Sequence, residues 1–188
     1  MGKRKSQEVR IIGGKWKGRK LRFQSAPSLR PTLGRLRETL FNWLRPDLCD
    51  ARCLDLFAGS GILGFEALSQ GAGHVDFVDQ NRSTCSQLSQ HINLLECQAD
   101  SQVFCRKALA YLNNTETAWD IVFLDPPYDD QEVLLACIEY FAGLTEPPEW
   151  LYIEARDRDL LDEMFTNFGL NVARDSRSGD ARGHLCYF

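Results

Sequence analysis

Residues 120–130 read DIVFLDPPYDD. The apolar run Ile121 to Leu124 has the length and composition of a buried strand. It ends in an acid, two prolines and an aromatic: Asp125, Pro126, Pro127 and Tyr128. Proline fixes the backbone and carries no N–H donor, so this strand end offers a carboxylate, rigid carbonyls and a ring. Such a set suits the exocyclic amine of a nucleobase. That amine is a poor nucleophile because its lone pair is delocalised into the ring. Two acceptors, the Asp125 carboxylate and the Pro126 carbonyl, can bind its two N–H groups and draw the nitrogen toward tetrahedral geometry. Tyr128 can stack on the base, worth ~1–3 kcal/mol. The plainer alternative is a strand terminator with a solvated acid.

A second constellation lies upstream in CLDLFAGSGILGFEAL. Its turn spells G-x-G-x-x-G with Gly59, Gly61 and Gly64, a pattern shared by dinucleotide sites and S-adenosylmethionine sites. A dinucleotide sends its pyrophosphate to the helix N-terminus. Asp55 at the end of the preceding strand would repel it, and would suit the positive amine or sulfonium of S-adenosylmethionine instead. The next strand ends in Asp79, where an acid accepts hydrogen bonds from a ribose diol. Its structural alternative is a helix cap, a place that Asn81 fills better. Phe57 in the turn belongs to the expected cofactor set, and a resemblance carried by this turn and the strand end above adds the backbone N–H groups of Lys107 and Ala108 after the third strand.

These residues need a scaffold that gathers strand ends on one edge. From Arg52 onward apolar strands alternate with helical segments: RCLDLF, ILGFEALSQ, HVDFVD, a polar helix over 82–95, QVFCR, ALAYL, DIVFLD, EVLLACIEYFAGL, EWLYIEA and DLLDEMFTNF. Two short strands, LNVARD and HLCYF, close the chain. The expected fold class is α/β, Rossmann-like, a doubly wound, mostly parallel sheet with a C-terminal antiparallel strand. Right-handed crossovers then put Asp55, Asp79 and Asp125 on one edge. Ahead of this domain, over 31–188, residues 1–30 form a short basic arm. VRIIGGKWKGRKLRF reads as a β-hairpin with outward cations, SAPSLRP as a linker, and Thr32 as the cap of a helix to about Leu44. Leu36, Leu40, Phe41 and Leu44 share one face of that helix, with Arg35, Arg37, Glu38 and Arg45 elsewhere. Removing residues 1–22 is expected to spare the cofactor sheet, which begins much later.

Charge supports a polyanionic partner. Through residue 45 there are thirteen Lys and Arg against two acids, and beyond it nine against twenty-four. A basic arm on an acidic body points to nucleic acid. The candidate RNA contacts are Arg10, Lys15, Lys17, Arg19, Lys20, Arg30, Thr32, Arg35 and Arg37. The seven cysteines never occur as C-x-x-C and several sit in apolar runs, so they read as reduced thiols in a cytoplasmic protein. The three histidines have no ligand-like neighbours, so no metal is expected. No apolar run reaches the length of a membrane span, and a monomer is expected.

DLFAGSG with DPPY resembles the S-adenosylmethionine-dependent amino-methyltransferases of class I. RIIGGKWKGRKL followed by RPTLGRLRETLFNWL is similar to one family in particular, the bacterial small-subunit rRNA guanine-N2 methyltransferases of the RsmD type. The resemblance runs from Arg10 to the last strand. It implies that Asp55, Gly59 and Gly61 bind S-adenosylmethionine, that Asp79 binds its ribose, and that Asp125 to Tyr128 receive the target amine. It also implies a 16S rRNA guanine of the position-966 type, methylated at N2 in assembled or assembling 30S subunits. Two positions depart from the family pattern. Lys107 stands where a polar or acidic residue near the adenine is usual, and Gly34 where an acid is frequent. The competing readings are a DNA amino-methyltransferase acting on adenine N6 or cytosine N4, a non-enzymatic RNA-binding protein, and a nicotinamide oxidoreductase.

Overall fold

A computed structural model describes residues 6–24, 34–127, 130–155, 166–179 and 181–188. The N-terminal strands β1 (Ser6–Arg10) and β2 (Lys20–Gln24) pair antiparallel, joined through a short 3-10 turn at Gly14–Trp16. Alternation decides their faces: Val9, Ile11, Leu21 and Phe23 are buried, while Arg10, Lys20 and Arg22 are exposed. The helix α1 (Gly34–Leu44) follows, with Leu36, Leu40, Phe41 and Leu44 buried as the periodicity predicts. The linker, Arg30, Thr32 and the boundary near residue 30 lie outside the described residues.

From Arg52 onward the described elements follow the expected order: β3 (Arg52–Asp55), α2 (Ile62–Gln70), β4 (His74–Asp79), α3 (Arg82–Leu95), β5 (Ser101–Cys105), α4 (Ala108–Leu112), β6 (Ile121–Leu124), α5 (Gln131–Ala142), β7 (Trp150–Ala155), β8 (Asn171–Ser178) and β9 (Ala181–Tyr187), while most of the expected helix DLLDEMFTNF lies outside the described residues. The last seven strands form one sheet in the order β5-β4-β3-β6-β7-β9-β8. The first five of them run parallel, and β9 is antiparallel to both β7 and β8. The chain builds outward from β3 through β4 to β5, then returns to the other side of β3 with β6. Strand order therefore reverses between β3 and β6, where α/β sheets open a ligand crevice at their carboxyl edge.

The inner parallel strands β3, β4, β6 and β7 are buried on both faces and feed two apolar layers, while β5 at the sheet edge is only partly covered. Cys53, Ile121, Phe123 and Tyr152 face α1, α2 and the hairpin, while Leu54, Val122, Leu124 and Ile153 face α4 and α5. Helix α2 is buried from Ile62 through Ser69, because the sheet covers one side and the hairpin the other. Its polar residues are satisfied by hairpin backbone: Glu66 accepts from the N–H of Ile12 at 2.7 Å and Gly13 at 3.3 Å, and Ser69 Oγ accepts from Trp16 N–H at 2.9 Å.

Two expectations are corrected by this packing. Arg37 does not face away from the core: its side chain is 3% exposed, with Nε 3.1 Å from Glu66 Oε1 and a guanidinium N–H donating to the Arg10 carbonyl at 2.7 Å. A cation so enclosed is not available to RNA phosphates. The arm also cannot be deleted harmlessly. Val9, Ile11, Trp16, Leu21 and Phe23 belong to the same apolar cluster as Phe65, Leu68 and Phe77, so removal of residues 1–22 would uncover that core.

Candidate functional site

The turn after β3 is held by its neighbours. Leu56 N–H donates to the Phe123 carbonyl at 3.3 Å, and Ala58 N–H to the Val78 carbonyl at 2.9 Å. The chain then reverses at Gly61, whose φ of 74° lies in the left-handed region. A Cβ there would meet Leu88 at 2.5 Å and Phe65 at 2.6 Å, so only glycine lets this turn close against α2 and α3.

Acids surround the turn. Asp55 is 3% exposed and its Oδ2 accepts from Gly64 N–H at 3.1 Å, in the first turn of α2. Burial pushes its carboxyl up to about 7, the Gly64 hydrogen bond opposing and the Asp79 charge assisting. Asp79 accepts from Gly59 N–H at 3.0 Å and from Asn81 N–H at 2.7 Å. Burial raises its carboxyl too, against the pull of those two amides. Asn81 caps α3 through Ser83 and Thr84 N–H groups at 2.8 and 3.3 Å, so Asp79 is not the helix cap. A carboxylate has about four acceptor sites, and Asp79 can hold the turn and still receive a diol.

One cavity of about 790 Å³ joins these groups to the end of β6. Of the sequence-predicted residues, Asp55, Phe57, Gly59, Asp79, Lys107, Ala108, Asp125 and Pro126 all line it. Gly61 shapes the turn behind the wall. Lys107 sits at the N-cap of α4 with extended backbone and no side-chain cap bond, and its side chain is exposed. Asp130 N–H donates to the Pro127 carbonyl at 2.9 Å. Tyr128 lies outside the described residues.

The cavity fits S-adenosylmethionine. Its volume is in the range of small-molecule sites, its glycine turn lets backbone approach a ligand, and its acids suit a cationic and a diol group. No group of three or more His, Cys, Asp or Glu arranged to hold a metal occurs among the described residues. All seven cysteines are free thiols.

Sequence reasoning missed two wall residues of consequence, Glu154 and Arg106. The signal for Glu154 was present: RCLD, HVDFVD, IVFLD and WLYIE each carry an acid within one residue of the strand's carboxyl end. Among the expected RNA contacts, Arg10, Lys15, Lys17, Arg19, Lys20 and Arg35 are exposed. Lys20 and Arg22 pair with Glu8, each at 2.8 Å, and Lys15 Nζ lies 4.5 Å over the Trp16 ring.

A family model described as conserved hypothetical protein 95 matches residues 9–186. Ribosomal RNA small subunit methyltransferase D of Escherichia coli K12 is 43% identical over 150 residues, 80% of this chain and 73% of that protein. The protein of the same name from Haemophilus influenzae Rd is 40% identical over 162 residues, 82% of each chain. The solved yhhF structure from Escherichia coli superposes with a TM-score of 0.81 at 32% identity, over 96% of this chain and 98% of that one. Magnesium protoporphyrin IX methyltransferase of Synechocystis PCC 6803, solved with bound SAM, shares the fold at 16% identity and a TM-score of 0.65, over 81% of this chain and 78% of that one.

Proposed function

We propose that this chain, which belongs to the conserved hypothetical protein 95 family and is a relative of proteins named ribosomal RNA small subunit methyltransferase D, methylates the exocyclic N2 amine of a guanine in 16S rRNA of the small subunit or its precursor. It is a methyltransferase of the class I fold, and S-adenosylmethionine is its cofactor. The observation that carries the finer reading is that the acid-Pro-Pro turn opens into the same cavity as the glycine turn. Asp55, Phe57 and Gly59 hold the methionine part, on a turn that Gly61 shapes from behind, Asp79 holds the ribose, and the backbone at Lys107 and Ala108 the adenine. Bound cofactor supplies a methyl group on a cationic sulfur, which keeps the C–S electron pair when the methyl leaves. Asp125 and the Pro126 carbonyl accept the two N–H groups of the amine and free its lone pair for the new N–C bond. The nitrogen then carries an extra proton, which Asp125 can take. Tyr128, two residues beyond Pro126, is assigned the stacking surface. Most of the rate comes from positioning, and the base must be unstacked to enter.

Loss of the ribose acceptor gives a direct check. Asp79→Ala should weaken S-adenosylmethionine binding by about 1–3 kcal/mol. Unchanged calorimetric affinity in a folded variant would remove Asp79 from the site.

Binding should also depend on pH. In the ligand-free protein Asp55 is largely protonated below about 7. A cationic ligand favours its carboxylate, so binding releases a proton and affinity rises with pH toward about 7, by up to about tenfold per pH unit. Asp55→Asn should flatten most of that slope, leaving whatever Asp79 contributes. A wild-type affinity constant across this window would show that Asp55 does not face the ligand's charge.

The hairpin is the proposed RNA handle. Lys17→Ala with Arg19→Ala leaves the buried face intact and should flatten the salt dependence of subunit binding by about 0.7–0.9 log unit for each phosphate no longer neutralised. An unchanged slope would assign these cations to solubility alone. The substrate class is tested by offering labelled S-adenosylmethionine with small subunits, free 16S rRNA or DNA. Methyl transfer to particles or rRNA is expected; transfer to DNA alone would favour the DNA amino-methyltransferase reading.

A further inference from the structure

Four strand-end acids ring the cavity, and three have been given work. The fourth, Glu154 on β7, is 5% exposed and lines the cavity wall. Strands β6 and β7 pair in parallel with Phe123 beside Tyr152 and Leu124 beside Ile153. One residue further along each chain come Asp125 and Glu154, and both line the cavity. The Tyr152 phenol donates to Glu154 Oε2 at 3.4 Å. On the other flank, Gly183 of β9 pairs with Glu154. A Cβ on Gly183 would lie 2.5 Å from the Tyr152 hydroxyl and 2.7 Å from its ring. The glycine therefore makes room for the tyrosine, and the tyrosine orients the acid. Three strands cooperate to hold a buried carboxylate on the cavity that the proposed catalytic one also lines.

We infer that Glu154 is the specificity-determining residue for guanine, accepting the ring N1–H while Asp125 and Pro126 hold the adjacent N2 amine. This rests on the reading of the target as a guanine amine. The chemistry lies in the neighbour of each amine. Beside guanine N2 stands N1–H, a donor. Beside adenine N6 stands bare N1, and beside cytosine N4 bare N3, both acceptors. A carboxylate bonds the first and repels the other two. Asp125 and Glu154 together match a donor–donor edge, which among these three bases only guanine presents.

The test is a competition between guanine and 2-aminopurine, which keeps the N2 amine but has a bare N1. Each is placed at the methylated position of small-subunit rRNA, and transfer from labelled S-adenosylmethionine is measured with wild type, Glu154→Gln and Tyr152→Phe. Wild type should prefer guanine by about 10²-fold or more, as expected when a site built for a donor meets an analogue lacking it. Glu154→Gln keeps shape and adds an N–H that can serve bare N1. It should cut the preference by about tenfold or more, with calorimetric affinity for S-adenosylmethionine unchanged. Tyr152→Phe preserves the ring against Gly183, loses only the phenol, and should cut the preference less. Wild-type preference in both variants, with both folded, would overturn the assignment of Glu154. Wild type that transfers no methyl to guanine N2 at all would instead overturn the substrate reading beneath it.

Discussion

Replacing Asp125 with alanine should lower kcat by about 10²–10⁴-fold, the range for loss of a positioned polar catalytic group. KM for small subunits should change far less, because RNA affinity comes mostly from phosphate contacts. The reason is when the residue acts. Asp125 sits at the carboxyl end of β6 on the cavity wall, next to the buried Pro126. Its partner amine is flat and neutral before reaction, and becomes tetrahedral and positive as the N–C bond forms. The carboxylate is therefore worth most in the transition state. Tyr128 offers a contrast. Tyr128→Phe keeps a stacking ring and should be mild, while Tyr128→Ala should lose the ~1–3 kcal/mol of base stacking. If Asp125 merely ended a strand in solvent, Asp125→Ala would leave kcat near the wild-type value.

Arg37→Ala should destabilise the protein by about 3–5 kcal/mol, read as a lower urea midpoint with an unchanged m-value. The loss comes from what is left behind. Glu66 is wholly buried, and Arg37 is its charged partner. Burial is the largest influence on both groups, lowering the Arg37 pKa and raising that of Glu66. Glu66 without Arg37 would be a buried carboxylate supported only by the N–H groups of Ile12, Gly13 and Gln70. Pairing Arg37→Met with Glu66→Gln removes both charges, keeps an acceptor for Ile12, and should recover most of the stability. Arg35→Ala, on the exposed side of the same helix, should change stability by no more than about 0.5 kcal/mol. Equal effects at 35 and 37 would mean that the ion pair does not clamp the arm.

Arg37 also shows where sequence reading stops. A helical period shows which residues share a face, but not what that face meets. Arg37 lies next to Leu36 and looked like a solvated cation, because its partner Glu66 is on another helix. Glu66 and Ser69 pose the same problem from the other side: both are polar residues of one helix, and the hairpin amides that cover them come from a distant segment. The parallel strands were easier, since short apolar runs closed by acids carry both their length and their carboxyl edge in the sequence. Hence Asp55, Asp79 and Asp125 were legible and converge on one cavity. Glu154 followed the same pattern but lacked a glycine turn or a proline pair to draw attention to it. Its placement depends on Tyr152 and Gly183, a cross-strand fit that no local pattern encodes.

The central claim is the identity of the atom that receives the methyl group. Small subunits methylated by the protein with labelled S-adenosylmethionine can be digested to nucleosides and separated against standards. The label should be found in N2-methylguanosine, and should vanish when Asp125→Ala replaces the wild-type chain. Label in N6-methyladenosine, N4-methylcytidine or a ring-nitrogen or ribose product would contradict the account.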